Sequence, residues 1–307
     1  MTRLPASLQV LERGWLSSNS IVGFEADGSA TLVDSGYAGH AAQTVELLRK
    51  VLAGRPLKRL LNTHSHSDHI GGNAALQRAF GCAILVPAGM EGHVAGWDEE
   101  ALFLAPSDQR GERFAHDGVI ADGERFILGG LEWQAHAAPG HDMTALVFHC
   151  PSERLLISGD ALWEDGFGAV FAEILGTGPG LASTRETLAM IAGLDVDTVI
   201  PGHGPIFGAV PAALARAERR LQAFADDPKR MARSAIKACF TFNLLDRRRL
   251  PLAGLADYLA GVPFFRDVGA RTLGMAPAAL AEWLLAELLR AGAVAVVEGE
   301  IVPTMAA

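Results

Sequence analysis

The run Thr63-His64-Ser65-His66-Ser67-Asp68-His69-Ile70-Gly71-Gly72 constrains this chain more than any other stretch. Four side chains able to ligate a metal, His64, His66, Asp68 and His69, fall close together in it, directly after an apolar, strand-like stretch with Leu57, Leu60 and Leu61. Neutral imidazole and carboxylate are the ligand types that suit zinc and related first-row ions. In an extended turn His64 and His66 point the same way and can share one ion, because side chains alternate along extended backbone. Asp68 and His69 come at the next bend, where the chain can aim them at a second site. The cluster therefore predicts a fold that ends a strand at a pair of metals, and two metals roughly 3.5–4 Å apart make a clamp for hydrolytic chemistry.

Two sites need more ligands than this segment holds, and three later positions offer them. Pro139-Gly140-His141 follows the run 131–138, Ser158-Gly159-Asp160 follows Leu155-Leu156-Ile157, and Pro201-Gly202-His203-Gly204 follows Asp197-Thr198-Val199-Ile200. Each lies at the mouth of a strand-like segment, beside small residues that allow a tight turn. This set, in this order, resembles the metallo-β-lactamase superfamily over roughly residues 15–210. The aspartate of the Gly-Asp step is similar to that of the glyoxalase II, lactonase and ribonuclease Z branches. The resemblance implies that His64, His66 and His141 hold a first ion, that Asp68, His69 and His203 hold a second, and that Asp160 bridges them. It also implies two Zn²⁺ per chain, with Fe or Mn as alternatives. The remaining histidines (His40, His93, His116, His136, His149) match no motif and read as surface or core residues.

Half of the 307 residues are hydrophobic, enough to bury a full core, and the length suits one large domain with an appendage. No apolar run approaches the roughly 20 residues of a membrane span, and the start of the sequence lacks a secretory apolar core. The three cysteines are scattered, without a Cys-x-x-Cys pair, and read as buried hydrophobes in a reducing compartment; a cytoplasmic location is the expectation. The net charge of −9 disfavours nonspecific affinity for nucleic acid or anionic membrane. The short basic runs, Arg219-Arg220 and Arg247-Arg248-Arg249 after Asp246, read as a solvated face or a domain junction.

Strand groups interleave with helices, as expected of an α/β (α+β) protein with two packed sheets flanked by helices; the resemblance makes this an αββα sandwich. Hairpins are expected over 20–34, 125–138 and 144–158, and helices over 41–52, 73–80, 184–191 and 211–224. The domain boundary is placed near 225, giving a catalytic domain over 1–225 and a smaller, mainly helical domain over 226–307. In the latter, helices over 252–259, 266–273 and 277–290 precede a hairpin around Glu298-Gly299. This looks like a winged-helix module, which follows the metal domain in some superfamily members. Its would-be recognition helix carries Glu282, Glu287 and only one arginine, Arg290, so nucleic acid is not the expected partner; packing, pocket shaping or homodimerisation is.

Two divalent ions would lower the pKa of a shared water toward about 7, and the resulting hydroxide would attack a carbonyl, with Asp68 or Asp160 relaying the proton. Asp34, at the end of a strand, is a candidate acceptor for a ligand histidine's free N–H. Trp163 and Phe167, directly after Asp160, are expected to wall the substrate pocket with the stretch 90–116. Aromatics mixed with acids and glycines suit an uncharged or apolar acyl group. The expected function is a dinuclear metal-dependent hydrolase acting on a small-molecule ester, thioester or lactone. The alternatives are a metal-dependent endoribonuclease, which would demand a basic track leading to the metals, and an iron-dependent redox member of the same fold.

Overall fold

The computed structural model describes residues 4–305. The first sheet has the order β1 (Leu8–Leu11), β2 (Ser20–Phe24), β3 (Ala30–Val33), β4 (Leu57–Leu61), β5 (Ala83–Pro87), β6 (Gly118–Ile120). Its β1–β3 part is an antiparallel meander and its β3–β6 part is parallel. The parallel connections carry α1 (Ala41–Leu52), then α2 (Ser67–Ile70) and α3 (Asn73–Phe80), then α4 (Glu91–Gly96). The second sheet comprises β7 (Arg125–Leu128), β8 (Leu131–Ala137), β9 (Leu146–Cys150), β10 (Leu155–Gly159) and β11 (Thr198–Pro201). It is antiparallel except for β10–β11, whose connection carries α5 (Phe171–Leu175) and α6 (Gly180–Ala192).

Alternation along the strands sets the layering. Val33, Leu61, Phe148, Ile157 and Ile200 meet between the sheets around Trp133. Their neighbours Leu32 and Leu60 face the other way, onto Leu48, Leu52 and Leu76 of α1 and α3. Val147, Leu156 and Val199 face α6 through Leu188 and Ile191. The result is the expected helix–sheet–sheet–helix stack. Helix α1 has the expected bounds because Val45, Leu48 and Leu52 recur on one face and the chain turns left-handed at Ala53 (φ 49°) and Gly54 (φ 89°).

Two long helices follow, α7 (Val210–Asp226) and α8 (Pro228–Arg247), separated by Asp227 alone. Asp227 caps α8, its carboxylate accepting from the Arg230 backbone N–H at 3.1 Å, and Pro228 occupies the first turn, where its missing N–H costs nothing. The Asp226-Asp227-Pro228 step therefore joins two helices, and 228–247 is helical although the sequence pattern predicts no helix there. The expected helices after 250 appear as α9 (Leu255–Gly261), α10 (Pro263–Val268) with a π-type turn over 269–273, and α11 (Pro277–Arg290). The terminal hairpin, β13 (Val294–Val297) and β14 (Glu300–Pro303), gains a third strand, β12 (Leu250–Pro251), beside β14. One hydrophobic cluster runs from Val147 and Leu156 of the second sheet through Ile236 and Phe240 of α8 to Leu284 and Ile301, so residues on both sides of position 225 share a core.

Candidate metal centre

The ligand candidates gather from both sheets because each follows the C-terminal end of a strand. His64 and His66 leave β4; Asp68 and His69 sit on the single turn α2; His141, Asp160 and His203 follow β8, β10 and β11. They form two clusters, His64–His66–His141 and Asp68–His69–Asp160–His203, in each of which one ligating atom per residue lies within 4.8 Å of the others. His66 Nδ1 is 2.7 Å from His141 Nε2, and His203 Nε2 is 2.9 Å from Asp68 Oδ2. Asp160 spans the two clusters: its Oδ2 lies 3.4 Å from His141 Nε2 and 3.7 Å from His203 Nε2, and its Oδ1 lies 3.5 Å from His69 Nε2. All seven expected ligands are brought together.

The surrounding bonds fix which ring nitrogens face inward. His69 Nδ1 donates to Asp34 Oδ2 at 2.8 Å, and His141 Nδ1 donates to the Ala169 carbonyl at 2.6 Å. Both rings are therefore held with a bare Nε2 toward the site, the arrangement that raises ligand basicity. Asp34 also accepts from the Thr63 backbone N–H (2.9 Å) and hydroxyl (2.7 Å), tying β3 to the turn that carries His64. Asp142 accepts from the Ser65 hydroxyl at 2.7 Å and joins the His141 loop to the same turn. Close packing holds the loops in place. A Cβ on Gly202 would stand 2.2 Å from Asp160 Oδ1, and one on Gly168 would stand 2.4 Å from His141 Nδ1.

Charge is arranged in two different ways. Burial first, then the neighbouring His69 and His66, holds the His64 pKa well below the ordinary imidazole range; burial and then His141 lowers His66 to about 4. Burial thus favours the neutral rings, the form in which imidazole ligates a metal. In the other cluster burial opposes the charged forms, but the attraction between groups outweighs it. His203 and His69 hold Asp160 well below the usual carboxylate range, while Asp68, Asp34 and Asp160 raise His69 well above its usual value. Asp160 and Asp68 likewise raise His203. A cation placed there satisfies the carboxylates without needing those protons. The Nε2 atoms of His64 and His69 are buried with no hydrogen-bond partner, which costs free energy in the bare protein and is relieved by a ligated ion. The donor set fits a divalent metal centre, and nitrogen with carboxylate oxygen fits zinc.

A cavity of about 80 Å³ opens over the cluster, lined by Trp15, Phe103, Trp163, Phe171 and Phe242 together with the metal-facing histidines and aspartates. Trp163 stands where the sequence placed it; its ring N–H donates to Asp160 Oδ1 at 3.2 Å, and its ring meets Trp15 edge-on at 5.5 Å. Phe167 does not line this cavity. It is fully buried in the core beside Phe224, because the turn closed by Trp163 and Gly166 reverses the chain before it. Several walls carry no signal in the sequence: Trp15, whose ring lies 5.0 Å from His203, Phe171, and Ala238, Cys239 and Phe242 of α8. Ser18 and Asn19 bond the Asp68 and Gly202 loops through the backbone, which holds the Trp15 segment in place. A wider groove, about 570 Å³, adjoins the chamber across His66, Phe103, His141 and Phe171.

The Arg247-Arg248-Arg249 run is a junction, as expected: Arg247 pairs with Asp108 at 2.6 Å, and Asp246 receives the Tyr37 hydroxyl at 3.0 Å. The pair Arg219-Arg220 lies where α7 meets α8, in a groove lined also by Arg216, Arg230, Arg233 and Lys237, with Arg219 exposed and Arg220 half-buried.

The four-layer fold and the paired His/Asp clusters at its strand ends define a protein built to hold divalent metal. Residues 13–203 match the family model of the metallo-beta-lactamase superfamily, and the chain belongs to that family. It is 33% identical over 168 residues to a hydroxyacylglutathione hydrolase of Xanthomonas oryzae pv. oryzae, covering 55% of this chain and 54% of the relative. It is 29% identical over 144 residues to the enzyme of the same name from Methylococcus capsulatus, covering 47% of each. The chain thus spans about half the length of the curated relatives it matches. Among solved structures, a metallo-beta-lactamase family protein of Thermus thermophilus superposes with a TM-score of 0.60 at 19% identity, covering 98% of this chain and 100% of that one. A metallo-beta-lactamase of Cronobacter sakazakii gives 0.57 at 18% identity, covering 71% and 93%. Both likenesses concern the fold. No single helix among the described residues is long and apolar enough to cross a membrane.

Proposed function

We propose that this chain is a dinuclear zinc hydrolase that cleaves a small-molecule thioester, with esters and lactones as chemically related substrates. The observation that carries the reading is the convergence of seven ligand side chains, with the Nε2 atoms of His64 and His69 buried and unpartnered. The preference for a thioester draws on the relatives named hydroxyacylglutathione hydrolase. Ions held by His64, His66 and His141 and by Asp68, His69 and His203, with Asp160 between them, would polarise a carbonyl and make a water nucleophilic at neutral pH.

The chain's own residues do the rest. Asp34 and the Ala169 carbonyl orient the His69 and His141 rings. The Asp68 carboxylate, whose Oδ2 lies 2.9 Å from His203 Nε2, would take up the water's proton. The Trp163 N–H keeps Asp160 aimed between the clusters. Trp15, Phe103, Phe171 and Phe242 exclude water and receive the acyl group; among the described residues no lysine or arginine lines the chamber, which suits an uncharged or apolar group.

The test is metal analysis by mass spectrometry on protein purified without added metal, with an ester, thioester, lactone and RNA panel run on the same sample. The expected result is about two zinc ions per chain, with thioester cleavage abolished by a chelator, restored by zinc and lost in Asp160→Ala. Fully loaded protein that cleaves no acyl bond overturns the reading.

A further inference from the structure

The groove between α7 and α8 gathers positive charge. Five arginines and one lysine (Arg216, Arg219, Arg220, Arg230, Arg233, Lys237) line it against a single carboxylate, Asp227, in a chain with 26 basic residues and a net charge of −9. Nearly a quarter of all the cations therefore share one cavity of about 670 Å³. Crowding like charges costs free energy unless something offsets it. The protein's own acids offset it only at one end. Arg216 pairs with Asp165 at 3.1 Å, and Lys237 approaches Glu287 at 3.6 Å. Arg219, Arg220, Arg230 and Arg233 have no carboxylate partner among the described residues.

Two of these four are held as though for a ligand. Arg220 lies over the Phe167 and Phe224 rings, at 5.5 and 5.1 Å from their centroids, and Arg233 over Trp283 at 5.9 Å. The Nε–H donors of both are buried without an acceptor. Burial, and then Arg230, disfavours the charged form of Arg220, a cost that a bound anion would remove.

The groove lies across the Trp163–Gly166 turn from the metal centre. Trp163, bonded to Asp160, is joined to Gly166 by a tight turn (Trp163 N to Gly166 O, 2.7 Å), and a Cβ on Gly166 would lie 3.0 Å from Arg220 Cδ. Arg216 Nε donates to the Glu164 carbonyl within the same turn at 2.7 Å. On α8, Ser234 of the groove stands one helical turn before Ala238 of the chamber.

We propose that this groove binds the phosphate groups of a nucleotide-bearing thiol, the leaving group of a thioester whose acyl end occupies the metal chamber. The assignment rests on the thioester reading above. Guanidinium forks grip phosphate oxygens bidentately, and several forks together match a polyanion better than the isolated carboxylates of a small peptide thiol. Arginine planes on aromatic rings beside Ala223 and Phe224 also suit a base. The size lies within the range of small-ligand sites. A nucleic acid strand is disfavoured because Asp165 and Glu287 stand beside the basic stretch, against Arg216 and Lys237. Hydrolysis breaks the carbon–sulfur bond: the water oxygen joins the acyl carbon, one water proton goes to the departing thiolate, and the products are a carboxylic acid and the free thiol.

The experiment compares zinc-loaded wild type with the Arg219→Glu, Arg230→Glu double variant. Calorimetric titration with adenosine 3′,5′-bisphosphate is run beside steady-state hydrolysis of two thioesters of one acyl group, a coenzyme A thioester and an N-acetylcysteamine thioester. Wild type is expected to bind the bisphosphate, and the variant to bind it at least about tenfold more weakly. The ratio of kcat/KM for the coenzyme A thioester over the neutral one is expected to fall by about the same factor, chiefly through KM. Bisphosphate bound equally by both proteins, or by neither, overturns the proposal. So does binding of a short single-stranded oligoribonucleotide through these arginines without binding of the bisphosphate. If the bisphosphate binds through the arginines and no thioester is cleaved, the groove assignment holds and the thioester reading fails.

Discussion

Replacing Asp34 by Asn tests whether the carboxylate behind the metal site sets the chemistry of a ligand it does not replace. Asp34 is 2% exposed and accepts three close hydrogen bonds, from Thr63 N and Oγ1 and from His69 Nδ1, besides a longer one from Asn62 Nδ2 at 3.5 Å. All three partners are donors, whereas an amide offers one oxygen. If that oxygen faces His69 and the Thr63 hydroxyl, the NH₂ group opposes the Thr63 backbone N–H. If it faces the backbone, the NH₂ group opposes His69 Nδ1, and the ring relieves the clash by moving its proton to Nε2, the atom needed for the ion. Either arrangement leaves buried donors unmatched, at about 1–3 kcal/mol. Loss of such a supporting carboxylate weakens metal binding by about 10–100-fold, or about 1.4–2.7 kcal/mol at 1.4 per tenfold. Backbone strain does not confuse the result, since Asp34 has a φ of 57° and asparagine tolerates that region. The assay is competition of metal-free protein with a chromophoric chelator for Zn²⁺. One of the two equivalents is expected to weaken by this factor while the other, held by His64, His66 and His141, stays close to wild type. Both equivalents binding as tightly as in wild type, together with a lowered melting temperature, would refute the reasoning and leave Asp34 a purely structural residue.

Trp163→Phe keeps a ring beside Trp15 and His203 but removes the N–H that reaches Asp160; kcat/KM is expected to drop about tenfold or more, as for a bond to a charged group, and an unchanged value would exclude that role. Trp133 is fully buried between the sheets and donates to the Leu128 carbonyl at 3.0 Å, so Trp133→Ala should cost about 3–5 kcal/mol in denaturant unfolding; a cost below about 1 kcal/mol would contradict the packing described. Both tyrosines resist ionisation, Tyr37 through burial and then Asp246, Tyr258 through burial and then its hydrogen bond to Asp108. A folded-state pKa above the unfolded value of about 10 means stability that is complete below that pH and lost as pH rises beyond it. Ultraviolet titration should therefore show tyrosinate only as the protein unfolds in base, and tyrosinate appearing in the native protein near pH 10 would refute it.

Much of this architecture is readable from residue order, for physical reasons. The candidate ligands declare themselves because small residues and strand-like runs accompany them, and because His64, His66, Asp68 and His69 are too close together to be scattered by folding. Helices α1 and α3 are legible because their apolar faces repeat at helical spacing and glycines follow. Helix α8 is not: its buried positions include Ala232, Ala235 and Cys239, small residues interleaved with Arg230, Arg233 and Lys237, so its apolar face is faint in sequence although deep in the core. Phe167 is misplaced for another reason. Proximity to Asp160 in sequence puts it near the metals, but the reversal between Trp163 and Gly166 turns it into the core. The basic groove stays hidden because its residues are spread over two helices, and only the packing of α7 on α8 sums their charges.

The position of α8 separates what the protein does from what it does it to. Every candidate ligand lies between residues 64 and 203, while Ala238, Cys239 and Phe242 form one wall of the chamber from well beyond that stretch. One wall of the chamber is thus encoded apart from the candidate ligands, and point changes on α8 could reshape it without touching any of them. Wholesale exchange of the tail is a harder route. The far side of the helix, Ile236 and Phe240 among others, is continuous with the packing of the second sheet, so a foreign tail must match that interior before it can offer a new wall.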